Sequence, residues 1–183
     1  MHASGSVTRT TYLDYSSESD DDDVPAYNMF KITFVGTNRV GKTSLIERLK
    51  SNRFNMTVRP TLHIEIHDGV RLGDIGGTLW ELPPRVCIQY EMRNYRTDAI
   101  VVVFDSDDIS TLRKGVALWK LLHAKLHPDC VPEVWLVYHG SVHLDQVPYI
   151  HQARLFQVDT MTNDGILDFL YDMRCTLRRK RIY

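Results

Sequence analysis

Eight consecutive residues, Gly36-Thr37-Asn38-Arg39-Val40-Gly41-Lys42-Thr43, match G-x-x-x-x-G-K-[ST] at every fixed position. Each residue type answers a need of phosphate chemistry. Gly36 and Gly41 let the backbone curl so that N–H groups from Asn38 through Ser44 point at phosphate oxygens. A helix starting there adds positive potential. Lys42 supplies a cation to the outer phosphates, and the Thr43 hydroxyl can ligate Mg²⁺. The phosphate-binding set is therefore Gly36, Asn38, Arg39, Val40, Gly41, Lys42, Thr43 and Ser44. The motif predicts a nucleoside triphosphate with Mg²⁺ but does not choose among kinases, ATPases and GTPases.

Downstream residues choose. Pro60-Thr61 comes 19 residues after Lys42 on a loop before a predicted strand, and Asp74-Ile75-Gly76-Gly77 reads as D-x-x-G. With these in order, the chain resembles the small GTPases of the Ras, Rab and Arf superfamily over roughly residues 29–180. The passage Asn94 to Asp105 is similar to the helix-to-strand passage of Rab-like members. The resemblance implies a Rab-like GTP-binding switch or scaffold in trafficking or signalling, with Mg²⁺ as cofactor. It implies that Thr61 closes over Mg²⁺ and the terminal phosphate, that Asp74 holds Mg²⁺ through water, and that the Gly77 backbone senses that phosphate. Lys42, Thr61, Gly77 and Thr78 are then the catalytic set, and Thr43, Thr61 and Asp74 the metal set. Phe54, twelve residues after Lys42, stands where the family packs an aromatic on the base. Effector or regulatory proteins would read residues 55–65 and 74–90.

The departures carry as much information. The family reads guanine with N-K-x-D after its fifth strand; here Val134 to Tyr138 is followed by His139-Gly140-Ser141-Val142. Val142 takes the aspartate's place and accepts no guanine N–H, while Asp145 comes three residues later. The second base element falls on Asp159-Thr160-Met161, and Pro148 limits any helix in between. Asp159 is either a base acceptor or an ordinary strand-end acid. Guanine preference should thus be weakened, lost or met differently. Thr78 stands where the family has the glutamine that orients the attacking water, so hydrolysis should be slow. Arg39 is a phosphate-facing cation or a solvated loop arginine.

Other residues have plainer readings. The histidine pairs His63/His67, His123/His127 and His139/His143 are each four apart without an acid placed to complete a helical metal site, so they read as solvated or satisfied. Trp119 reads as packing on a helix face. Arg174, Arg178, Arg179, Lys180 and Arg181 form a basic helix end, favoured by the helix dipole, or a contact for anionic lipid or for the chain's own acidic tail.

The elements that must position this chemistry alternate. Strands are predicted at 30–35, 62–67, 70–72, 99–104, 134–138 and 155–158, and helices at 43–50, 85–95, 112–126 and 165–178. Asp68-Gly69 predicts a two-residue hairpin turn, and Gly76-Gly77 with Pro83-Pro84 predicts a loop over 75–84. The run Ala99 to Phe104 suits a strand buried on both faces. The expected fold is α/β: a Ras-like P-loop domain with a six-stranded, mostly parallel sheet and helices on both faces.

Composition bounds the rest. At 183 residues the chain has room for one such domain, over 28–183. Residues 1–27 hold six acids and one arginine, so a net of −5 there leaves +4 for the remainder of a chain whose total is −1. The Ser/Asp-rich segment reads as a disordered tail, either a spacer or a phosphoregulated one. A balance of +4 does not point to nucleic acid. Three cysteines without C-x-x-C fit a reducing compartment. No apolar run is long enough for a membrane span, and neither signal peptide nor lipidation motif is evident, so a cytoplasmic protein without a stable membrane anchor is expected. Two function classes stand: a slowly hydrolysing GTP-binding switch, and a non-hydrolysing pseudo-GTPase interaction module. A nucleotide kinase is disfavoured because no arginine-rich lid follows.

Overall fold

Alternation of side chains along the central strands divides the molecule into two apolar layers. In the computed structural model, which describes residues 29–57, 59–84, 97–125, 132–141 and 153–180, β1 (Met29–Val35) and β4 (Ala99–Asp105) run side by side, Ile32 opposite Ala99 and Val35 opposite Val102. Around them β2 (Glu65–Leu72), β3 (Ile75–Glu81), β5 (Glu133–His139) and β6 (Arg154–Gln157) complete one sheet in the order β2-β3-β1-β4-β5-β6. Only β2 runs antiparallel to its neighbour. This is the expected Ras-like sheet.

Ala99, Val101 and Val103 belong to one layer with Leu45, Ile46 and Leu49 of α1 (Lys42–Ser51) and Phe169, Met173 and Leu177 of α3 (Ile166–Lys180). Ile100, Val102 and Phe104 belong to the other with Leu112, Trp119 and Leu122 of α2 (Ile109–Lys125). Trp119 is therefore core. The spacing Ile166, Phe169, Leu170, Met173, Leu177 lays one apolar stripe along α3. Each such buried side chain contributes about 1.5–3 kcal/mol relative to exposure. No described helix is long and apolar enough to cross a membrane.

Two local expectations fail. Asp68-Gly69 does not turn the chain: β2 runs through it with a bulge between His67 and Val70, where Gly69 takes φ 65°. The turn is at Gly73-Asp74, and residues 75–81, expected as loop, form β3. Gly76-Gly77 looks like punctuation in the sequence, but the backbone of β1 passes so close that a Cβ on Gly77 would stand 2.8 Å from the Phe30 carbonyl oxygen. The acidic segment 1–27, the predicted helix 85–95, and Val142, Asp145, Pro148, His127, His143 and Arg181 lie outside the described residues.

Candidate functional site

The loop between β1 and α1 has the backbone that its sequence demands. Arg39 at φ 61° and Gly41 at φ 86° are left-handed. Gly36 sits so close to β4 that a Cβ there would fall 2.2 Å from the Val103 carbonyl oxygen. α1 starts at Lys42 with no side-chain cap and no acid in its first turn, and its first intrahelical bond runs from Leu45 N to Gly41 O at 2.9 Å. The N–H groups of the first turn therefore lack intrahelical partners and add to the positive end of the helix dipole. Val40 is buried, whereas Asn38 and Arg39 are exposed. Lys42 Nζ donates to Gly36 O at 3.2 Å and Thr37 O at 2.8 Å. Burial pushes its ammonium pKa below the ordinary lysine value, and the Glu81 charge acts in the opposite direction.

Glu81 is the centre of the second half of the site. Its Oε1 accepts from Thr43 Oγ1 at 2.8 Å and from Thr61 Oγ1 at 2.8 Å, and the two hydroxyls are themselves 3.3 Å apart. Glu81 is 1% exposed, and its other oxygen, Oε2, has no hydrogen-bond partner among the described residues. A buried carboxylate with a spare oxygen beside two hydroxyls is a hard, all-oxygen donor set, which fits Mg²⁺.

Thr43 and Thr61 thus lie together, but Asp74 is not with them. β1 and β3 are parallel, with Met29 opposite Gly76 and Phe34 opposite Glu81. The phosphate loop follows β1, so it adjoins the Glu81 end of β3. Asp74 precedes the strand, and the 7 residues of β3 at about 3.3 Å each separate it from that end by roughly 20 Å. Asp74 instead pairs with Arg174 and Arg178 of α3. Gly77 and Thr78 lie mid-strand, opposite Phe30 and Lys31 of β1 and short of the end of β1 from which the phosphate loop leaves. Sequence reading missed Glu81 because D-x-x-G is complete at 74–77 while 81–84 is Glu-Leu-Pro-Pro. The available signal was the acid itself, which closes the apolar pair Leu79-Trp80 and stands 38 residues after Thr43.

Arg48, buried on α1, donates through Nε to Thr160 O at 2.8 Å, through Nη2 to Met161 O at 3.0 Å, and through Nη1 to Asn52 O at 2.8 Å. It thereby holds the 159–162 loop against the end of α1, three residues before Phe54, which is 37% exposed. Asp159 Oδ1 accepts from Met161 N at 2.7 Å and Thr162 N at 3.2 Å, so that oxygen caps its own loop. These bonds hold the Asp159 carboxyl below its ordinary range. His139 supports the phosphate loop from below, since a Cβ on Gly41 would fall 2.5 Å from His139 Nε2. Burial holds the imidazole pKa below its ordinary value, while the charges of Asp159 and Asp105 act to raise it. Ser141 N and Oγ both donate to Asp107 Oδ1 at 3.0 Å.

The family model for the ADP-ribosylation factor family matches residues 24–137. That stretch contains the phosphate loop, Thr61, Glu81 and the strands that carry them. No curated protein matches the sequence.

Proposed function

The chain belongs to the ADP-ribosylation factor family, a GTP-binding branch of the small GTPases, and we propose that it holds a nucleoside triphosphate with Mg²⁺ as a switch or scaffold that turns the nucleotide over slowly. The observation that carries the reading is the convergence of Thr43, Thr61 and Glu81 beside the uncapped start of α1. Thr43, Thr61 and Glu81 would hold the cation, which would neutralise charge on the outer phosphates. Lys42 would exchange its two loop carbonyls for phosphate oxygens. The wider family match outweighs the Rab-like likeness, which rests on residues 94–105 alone.

A specific feature favours the low-turnover form. Behind Glu81, the Leu82 N–H is spent on Phe34 O at 3.0 Å, and Pro83 and Pro84 have no N–H to give. In the superfamily a glycine N–H three residues after the acid meets the terminal phosphate; Pro84 removes that donor. This supports a protein that keeps its nucleotide as a structural part and presents residues 55–65 to partners. Base selectivity should be modest, because the Asp159 oxygen that caps the 159–162 loop is already engaged and His139, the last residue of β5, stands where the family's base motif would begin.

Identification of the nucleotide released on denaturing the purified chain, followed by competition between GTP and ATP with Mg²⁺, tests the reading. A guanine nucleotide, held with a preference well under the roughly 10⁴ of a fully hydrogen-bonded base site, is expected. Unchanged affinity in a folded Lys42→Ala chain would sink it.

A further inference from the structure

Strand geometry gathers a second set of ligands beside the first. Glu65 lies directly opposite Glu81 across the β2–β3 ladder, and His67 lies two residues along β2 on the same face. One ligand atom from each of Glu65, His67 and Glu81 lies within 4.8 Å of the others. Like charges directly opposite each other on neighbouring strands repel. His67 Nε2 and Glu81 Oε2 are each buried with no hydrogen-bond partner among the described residues, and Glu81 is 1% exposed. The paired carboxylates and the unpartnered Glu81 oxygen make this corner of the sheet one that a cation would stabilise.

We propose that Glu65, His67 and Glu81 form a site for a first-row transition dication, Zn²⁺ in the first instance. An imidazole with two carboxylates selects zinc-like ions over Mg²⁺, which prefers oxygen. Three protein ligands leave a fourth position open. With metal–ligand bonds of roughly 2.0–2.2 Å, tetrahedral donor atoms stand about 3.4 Å apart, so closing on the ion needs side-chain movement of about 1 Å. The neighbour that resists it is Lys50, whose Nζ lies 3.0 Å from His67 Nδ1 and also pairs with Glu47. An ammonium only donates, so Nδ1 accepts and the ring proton stands on Nε2. Lys50 and the metal therefore compete for one imidazole. The site goes beyond nucleotide binding and does not depend on it, although Glu81 is common to both.

The test titrates the nucleotide-free full chain with ZnCl₂ against a chromophoric chelator, and with CoCl₂ followed by visible absorption, in excess Mg²⁺. Eight histidines make weak binding elsewhere certain, so the comparison is between variants. One zinc is expected to bind at least tenfold more tightly in the wild type than in His67→Asn or Glu65→Gln. Lys50→Ala should tighten it, an effect that loss of structure cannot mimic. His67→Asn should keep its affinity for GTP with Mg²⁺, which separates failure of this site from failure of nucleotide binding. Zinc affinity unchanged in His67→Asn and Glu65→Gln, or a wild-type cobalt spectrum without protein ligands, overturns the proposal. If His67→Asn does not fold, Glu65→Gln and Lys50→Ala decide it.

Discussion

Arg174 Nε on the last helix donates to Asp74 Oδ1 at 2.5 Å, across 100 positions of sequence. The pair fastens the β2–β3 turn to α3 at the end of the sheet remote from the phosphate loop. Gly73 is part of the arrangement: a Cβ there would fall 2.5 Å from the Arg174 guanidinium.

Asp74→Asn should therefore lower stability by about 1 kcal/mol, the scale of a partly exposed charged pair, and leave nucleotide affinity alone. Urea denaturation and a nucleotide titration check the two halves. A Mg²⁺-dependent fall in affinity would return Asp74 to the metal set.

Glu81→Gln keeps the shape and an acceptor for Thr43 and Thr61 but removes the charge. Magnesium should then support nucleotide binding about 10- to 100-fold less well. The measurement is nucleotide affinity across a series of Mg²⁺ concentrations. Identical curves for the two proteins would show that Glu81 serves only to fasten the two threonines.

Pro84→Gly restores a backbone donor after β3. The wild type should bind di- and triphosphate with similar affinity. The variant should favour the triphosphate by about 10- to 100-fold, the equivalent of one hydrogen bond of about 1.5–3 kcal/mol to a charged group. A strong triphosphate preference already present in the wild type would mean that another donor senses the terminal phosphate.

His139 gives a pH dependence of definite sign. Burial lowers its folded pKa below the ordinary 6.5. Between those two values the unfolded chain binds the proton and the folded chain does not, so stability falls as pH drops below about 6.5 and levels off below the folded pKa. Urea midpoints at pH 7.5, 6.5 and 5.5 should decline more steeply in the wild type than in His139→Asn. Parallel curves would show that the buried ring contributes nothing to the decline.

The sheet was legible wherever burial wrote a long signal. Ala99 to Phe104 reads as a doubly buried strand and is one. The phosphate loop reads from its fixed residues, and its geometry follows. β3 did not read, because the glycines that admit the β1 backbone are the residues that elsewhere break strands. That single misreading moved the acidic position from Glu81 to Asp74 and carried Gly77 and Thr78 with it. The His67 cluster was hidden for a different reason. A spacing of four suggests a helical pair, whereas Glu65, His67 and Glu81 meet by strand alternation and cross-strand register. Arg48 gave no signal at all, since a buried arginine spent on backbone carbonyls looks like any surface arginine in sequence.

The bulge in β2 has a consequence for the company the protein keeps. β2 is a rim of the sheet, and a rim strand offers its backbone as a template to any extended chain. Here the template is broken midway at Asp68-Gly69, and Glu65, Asp68 and Arg71 stud what remains. Ile66, exposed on the same strand, is thus left without the long flat neighbour that would let it seed cross-strand aggregation between copies.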